Sequence, residues 1–288
     1  MWDVYRPDSL KLATREARGK SVRRKVTLST KVPGNWAGLL RVDQNKTELY
    51  SILAEALHNM HVPPGKKVIT TLGHKVLINP LQDSNTLSPC SQEESDSRML
   101  LHVADAMHHG FKCIMIRTND SDVVAISIFC FPSLTSINEL WIAIGTGKNF
   151  RYLPIHIMSQ QLGPDKCMAL PFFHAFTGCD FNSSFYGIGK KTAWAGWLSQ
   201  PEVTAAFRYM ATSPAELNEK VLPILERYVV YLYDQDLVTS RHVTTVNAAR
   251  YDQFYYKGKD FDHIPPKQSV FYLRLVVQNV ISNLNRNT

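Results

Sequence analysis

"TGCDFNSSFYGIGKKTAW", Thr177 to Trp194, places one acid, Asp180, seven residues ahead of a Gly187-Ile188-Gly189 turn that runs into Lys190, Lys191 and Thr192. Two readings are open. The stretch can be a polar loop between two helices, with glycines because the chain must turn. It can also hold one corner of a metal site, with the glycine turn gripping a phosphate backbone. Free amides at the start of a helix, flanked by cations, form such a cradle. The surroundings must decide between them.

Ahead of this stretch, "HIMSQQLG" and "PDKCMALPFFHAFTGCD" predict consecutive helices. Further upstream, "ELWIAIG" (139–145) and "FKCIMI" (111–116) are short apolar runs of strand type. "SPCSQEESDSRMLLHVADAMHHG" predicts a helix, with Ser91 and Glu94 as a capping box and Gly110 as its stop. "GKKVITTLGHKVLINP" predicts a hairpin, or two short strands, about Gly73-His74. Strands alternating with helices imply an α/β fold with a mainly parallel sheet flanked by helices. Beyond Leu198 the pattern is mostly helical, in "PAELNEKVLPILERYVVYLYDQ" and "SVFYLRLVVQNVISNL".

Two acidic pairs stand beside these elements. Asp120 and Asp122 follow the 111–116 strand, and residues i and i+2 leaving a strand face the same side. Two like charges so close cost energy unless a cation neutralises them, and hard divalent ions take carboxylate oxygens. A polar turn writes the same letters. Glu94 and Asp96 sit at a helix start, where capping and the helix dipole already account for acids. On a regular helix the two diverge by about 200°, so joint ligation needs both at the frayed first turn. Asp3, in "WDVYRPDSLK", carries no meaning alone. His102, His108 and His109 read as surface or core histidines rather than ligands.

Composition narrows the classes. The chain has 288 residues, is 44% apolar and carries a net charge of +7. Its first 50 residues hold 11 Lys/Arg against 5 Asp/Glu, and nine of those cations fall between Arg6 and Lys31. Such a run attracts phosphate polymers or simply stays solvated. No run approaches 18 apolar residues, so no membrane span is expected, and the start lacks a signal-type apolar region. Five scattered cysteines without a CxxC pair argue for a reducing, intracellular compartment and against a zinc ribbon.

Taken in order, the motifs resemble the flap endonuclease/XPG-like nucleases of the PIN-like fold. Asp3 is followed by "PDSLK" and arginines; then come Glu-x-Asp, Asp-x-Asp, and "GCDFNSSFYGIGKKTA". This last piece resembles the family's acid followed by its helix–two-turn–helix element. The likeness covers roughly residues 1–200, leaving 201–288 as a mostly helical extension without an assigned role. The chain is also similar to animal proteins derived from mobile elements that share this core. The resemblance implies a mainly parallel PIN-like sheet, with Asp3, Glu94, Asp96, Asp120, Asp122 and Asp180 as metal-binding acids. It makes Lys11 and Arg18 the cations reaching the scissile phosphate, although Lys11 is displaced by one residue in its spacing. Gly187, Gly189, Lys190, Lys191 and Thr192 would hold duplex backbone.

The implied activity is structure-specific endonuclease cleavage of branched or flapped DNA in the nucleus. Two Mg²⁺ ions, or Mn²⁺ in their place, would stand roughly 4 Å apart. Family members place a further acid on a strand before the segment matching Asp3, so the sequence reads as an N-terminally truncated fragment or a degenerate copy, and the rest of the constellation favours truncation. Two alternatives stand beside a working nuclease: a nucleic-acid-binding module whose site no longer turns over, and a protein-interaction scaffold.

Overall fold

Short connectors between apolar runs settle the sheets. Val68–Leu72 (β1) and Lys75–Asn79 (β2) are joined only by Gly73-His74 and pair antiparallel, with Thr71 opposite Val76. Gly73, at φ +56°, takes the left-handed conformation this turn requires. Glu139–Ile144 (β4) and Arg151–Pro154 (β5) likewise pair antiparallel, Ile142 opposite Leu153. A parallel crossover needs about a dozen residues, which neither link has. The expectation of a mainly parallel sheet is corrected accordingly. The strand order in the second sheet is β3-β4-β5, with β3 running Cys113–Arg117.

The computed structural model describes residues 1–5, 21–80, 86–89, 91, 95–179, 183–212, 219–272 and 275. It is a mixed α/β protein. Contacts divide it into two units, the first ending at Ile116 and the second starting at Arg117. Among the described residues, no helix is long and apolar enough to cross a membrane.

In the first unit, Asp43–Asn59 (α2) follows a short helix Trp36–Leu39 (α1) and packs on β1 and β2. Asn45, fully buried, receives the Arg24 N–H at 3.0 Å and donates to the Leu39 carbonyl at 3.1 Å. Arg23, though exposed, pairs with Glu48, so part of the basic run is tied to α2. Trp2 donates its indole N–H to Thr70 Oγ1 at 3.1 Å and stacks on Tyr50. Ser95–His108 (α3) also belongs to this unit.

The second unit opens with Ser121–Cys130 (α4), an apolar run for which the sequence pattern gives no element. Ile155–Phe176 (α5) is two helical segments broken at Gly163 (φ +76°), just before Pro164. The consecutive helices expected there are present. Lys190–Ser199 (α6) starts where the glycine turn predicts, and Glu202–Thr212 (α7) packs on α5. Leu222–Tyr233 (α8) packs on both α6 and α7. Phe172, Phe176, Trp197, Phe207 and Tyr228 are fully buried together, with Phe207 5.5 Å from both Phe176 and Tyr228. Tyr228 donates to the Ala193 carbonyl at 2.7 Å, which answers the cost of burying its hydroxyl. Gln235–Thr239 (α9) and Val246–Tyr251 (α10) pack on α8. Residues 201–251 are thus part of the same unit as 117–200.

Candidate metal and nucleic-acid site

The site in the second unit is set by how β3 ends. Arg117 donates to the Gly145 carbonyl at 2.7 Å, the Ala143 carbonyl at 3.1 Å and Asn119 Oδ1 at 2.9 Å. Thr118 N–H reaches the Ala143 carbonyl at 3.1 Å, and Asn119 Oδ1 accepts the Gly145 N–H at 3.2 Å. The loop carrying Asp120 is therefore latched to the end of β4. Gly145 must be glycine here: it has φ +88°, and a Cβ would lie 2.3 Å from the Asn149 carbonyl oxygen.

Asp120 and Asp122 do not leave β3 as an extended pair. Asp120 is the N-cap of α4, its Oδ1 accepting the Asp122 N–H at 2.9 Å, while Asp122 lies in the first helical turn. The expectation of two strand-borne carboxylates is corrected: the motif is a strand end passing directly into a helix start. A carboxylate there satisfies an orphan amide and suits the positive end of the helix. Asp120 is exposed and Asp122 half-buried.

Asp122 has a partner that the sequence motifs do not reveal. His174 Nε2 lies 2.8 Å from Asp122 Oδ1, joining α4 to the last turn of α5. His174 is the one polar side chain in "LPFFHAF", and that isolation was the available signal. Beyond it, Lys190 donates to the His174 carbonyl at 2.8 Å, Thr177 Oγ1 at 3.0 Å and the Gly178 carbonyl at 2.7 Å. Desolvation around its ammonium lowers the Lys190 pKa, against the opposing pull of Cys179 and Asp122. Its ammonium thus closes the carboxyl end of α5, with all three protons engaged. The resemblance implies that Lys190 holds nucleic-acid backbone; the structure shows its ammonium in these three contacts within the chain.

Gly178 has φ +110°, and a Cβ would approach Ser184 Cα at 2.8 Å. The chain folds back there. Gly189 is the N-cap of α6, and Gly187 turns at φ +73°. Gly187, Gly189, Lys191 and Thr192 are all exposed. Asp180 lies outside the described residues, two positions beyond Gly178.

In the first unit, Asp3 Oδ1 accepts the Ser95 N–H at 3.0 Å, at the start of α3, and Asp96 occupies that helix's first turn. The structure thus brings Asp3 to the helix end carrying Asp96. Burial, then the charge of Asp3, pushes the Tyr5 phenol well above its ordinary range. Glu94, Lys11 and Arg18 lie outside the described residues.

Carboxylate oxygens from Asp120 and Asp122 are the donors that Mg²⁺ prefers. Among the described residues, no three His, Cys, Asp or Glu side chains gather to hold a metal ion. No family model, no curated protein and no solved structure matches this chain.

Proposed function

We propose that this chain is a PIN-like, metal-dependent nuclease cutting phosphodiester bonds in branched or flapped DNA. One observation carries the proposal. Asp122 and the segment leading to Asp180, which are remote in sequence, are joined through His174 and Lys190, whose partners span residues 174–178. In this reading Asp120, Asp122 and Asp180 hold Mg²⁺ on the second unit. When bound, Mg²⁺ would neutralise phosphoryl oxygens and lower the pKa of an attacking water. Asp122 is oriented by His174, and the latched 118–120 loop holds Asp120 in place. The exposed Gly187–Thr192 turn offers amides and the Lys191 ammonium to the backbone.

The test is cleavage of a labelled flapped duplex with and without Mg²⁺. Asp120→Asn and Asp180→Ala are each expected to reduce the rate at least a hundredfold. Wild-type cleavage retained by either variant would overturn the proposal.

One observation favours a binding module without turnover. Asp120 Oδ1 already caps a helix and Asp122 Oδ1 already meets His174, so both acids have work without an ion. That reading expects duplex binding that falls steeply with salt, no cleavage at any Mg²⁺ concentration, and weaker binding when Lys191 is neutralised.

A further inference from the structure

Between Tyr251 and Phe261 the sequence is "YDQFYYKGKDF", five aromatic residues without one aliphatic. All five rings face solvent, with Tyr255 68%, Tyr256 66% and Phe261 66% exposed. Apolar surface on that scale is uncommon without a use. The rings are also ordered. Tyr251 and Tyr255 stack at 5.3 Å with planes 8° apart, Tyr256 stands edge-on to Tyr255 at 5.2 Å, and Phe254 stacks on Phe261 at 4.8 Å.

The backbone explains the display. Residues Asp252–Tyr256 form a π-helical turn, a wider winding that lets Tyr251 touch both Tyr255 and Tyr256. The turn is anchored from beneath. Asp252 is buried and paired with Arg241, and the buried Gln253 accepts the Lys259 N–H at 3.0 Å through its carbonyl.

Beside this segment lies a cleft of about 390 Å³ whose lining includes Gly187, Ile188, Tyr233, Lys259 and Asp260. Tyr186, also in its wall, meets His263 edge-on at 5.1 Å. The glycine turn and the aromatic segment therefore share one depression. Lys259 is the cation in it, while Asp260 lines it and Asp262 is exposed nearby in sequence, so an anionic backbone would run on the Gly187 and Lys259 side.

We propose that Tyr251–Phe261 is a stacking platform for single-stranded DNA, with bases on the outer faces of Tyr255 and Tyr256 and the backbone entering the cleft at Gly187 and Lys259. The inference rests on the nucleic-acid reading given above. Rings offer flat π-faces that any base can cover, and a neighbouring cation holds the phosphate; together these define a sequence-tolerant single-strand site. The Lys259 ammonium in the adjoining cleft is what favours an anionic polymer as the occupant.

Fluorescence anisotropy of a labelled oligothymidylate, titrated with the full chain in EDTA, tests it. Changing Tyr255 and Tyr256 together to Phe should leave affinity within about twofold, because the faces remain. Changing both to Ala, or both to Leu, should weaken binding by about tenfold or more. Affinity that survives the Ala pair, affinity retained by the Leu pair, or no binding by the wild type would each overturn the proposal. So would self-association of the chain that the Ala pair abolishes without changing oligonucleotide affinity. Since no metal is present, failure here leaves the cleavage test standing, and a chain that binds but never cuts loses only the nuclease reading.

Discussion

Lys190 and Lys191 are exposed neighbours in sequence whose ammonium groups are placed differently. Lys190 holds three oxygens at the end of α5, an engagement that Lys191 does not share among the described residues. Lys190→Met is therefore expected to lower stability by about 1 kcal/mol, since hydrogen bonds from the ammonium are lost while water reaches the freed carbonyls. Thermal denaturation reads this directly. Lys191→Met should leave the melting temperature unchanged and reduce the slope of log affinity against log salt by about one. Gly178 gives a third residue-scale prediction. With φ +110°, and with the Ser184 backbone 2.8 Å from where a methyl would sit, Gly178→Ala should cost about 2 kcal/mol or more. The sequence marks Lys190 by its place after the glycine turn but does not show its three partners. Type and spacing reveal a turn; only the fold shows which oxygens the turn's first lysine meets.

α4 separates two explanations for one aspartate. As a helix cap, Asp120 is worth about 1 kcal/mol, and asparagine caps equally well. Asp120→Ala should thus lower the melting temperature, while Asp120→Asn should preserve it; comparing both with the cleavage rate distinguishes capping from ion binding. The helix was illegible because "VVAISIFC" is rich in β-branched and apolar residues and carries no amphipathic stripe. Its cap was the readable signal. α3, by contrast, was legible from Leu100 and Val103, both buried at helical spacing. The same helix carries His102, whose pKa burial lowers to about 4, with the Arg98 charge adding to the effect. The unfolded chain holds that proton up to about pH 6.5, the folded chain only to about 4. The unfolded state therefore binds more protons between these values. The stability tied to neutral His102 is complete above about pH 6.5 and is lost as pH falls toward 4. His102→Gln should flatten the acid limb of a stability-against-pH curve in that window.

Over the whole chain, the order of strands and helices was readable from apolar runs and turn residues, while their assembly was not. The antiparallel β4–β5 pair follows from the short Gly145–Phe150 link, yet nothing in the letters fixed the division after Ile116 or packed α7 against α5. The packing of α7 on α5 depends on Phe207, which touches Phe172, Phe173, Phe176, Trp197 and Tyr228. Phe207→Ala should cost about 4 kcal/mol and collapse the second unit's cooperative melt. The candidate site was readable as a set of motifs because its residues are few and chemically distinctive; His174 was not, since only tertiary packing gives it Asp122. Arg117 and Asn119 fasten the Asp120 loop during folding, so its conformational entropy is already surrendered before a ligand arrives. Calorimetry of a ligand docking there should show little ordering penalty, and the Gly145 amide should resist deuterium exchange in the ligand-free protein as strongly as in the complex.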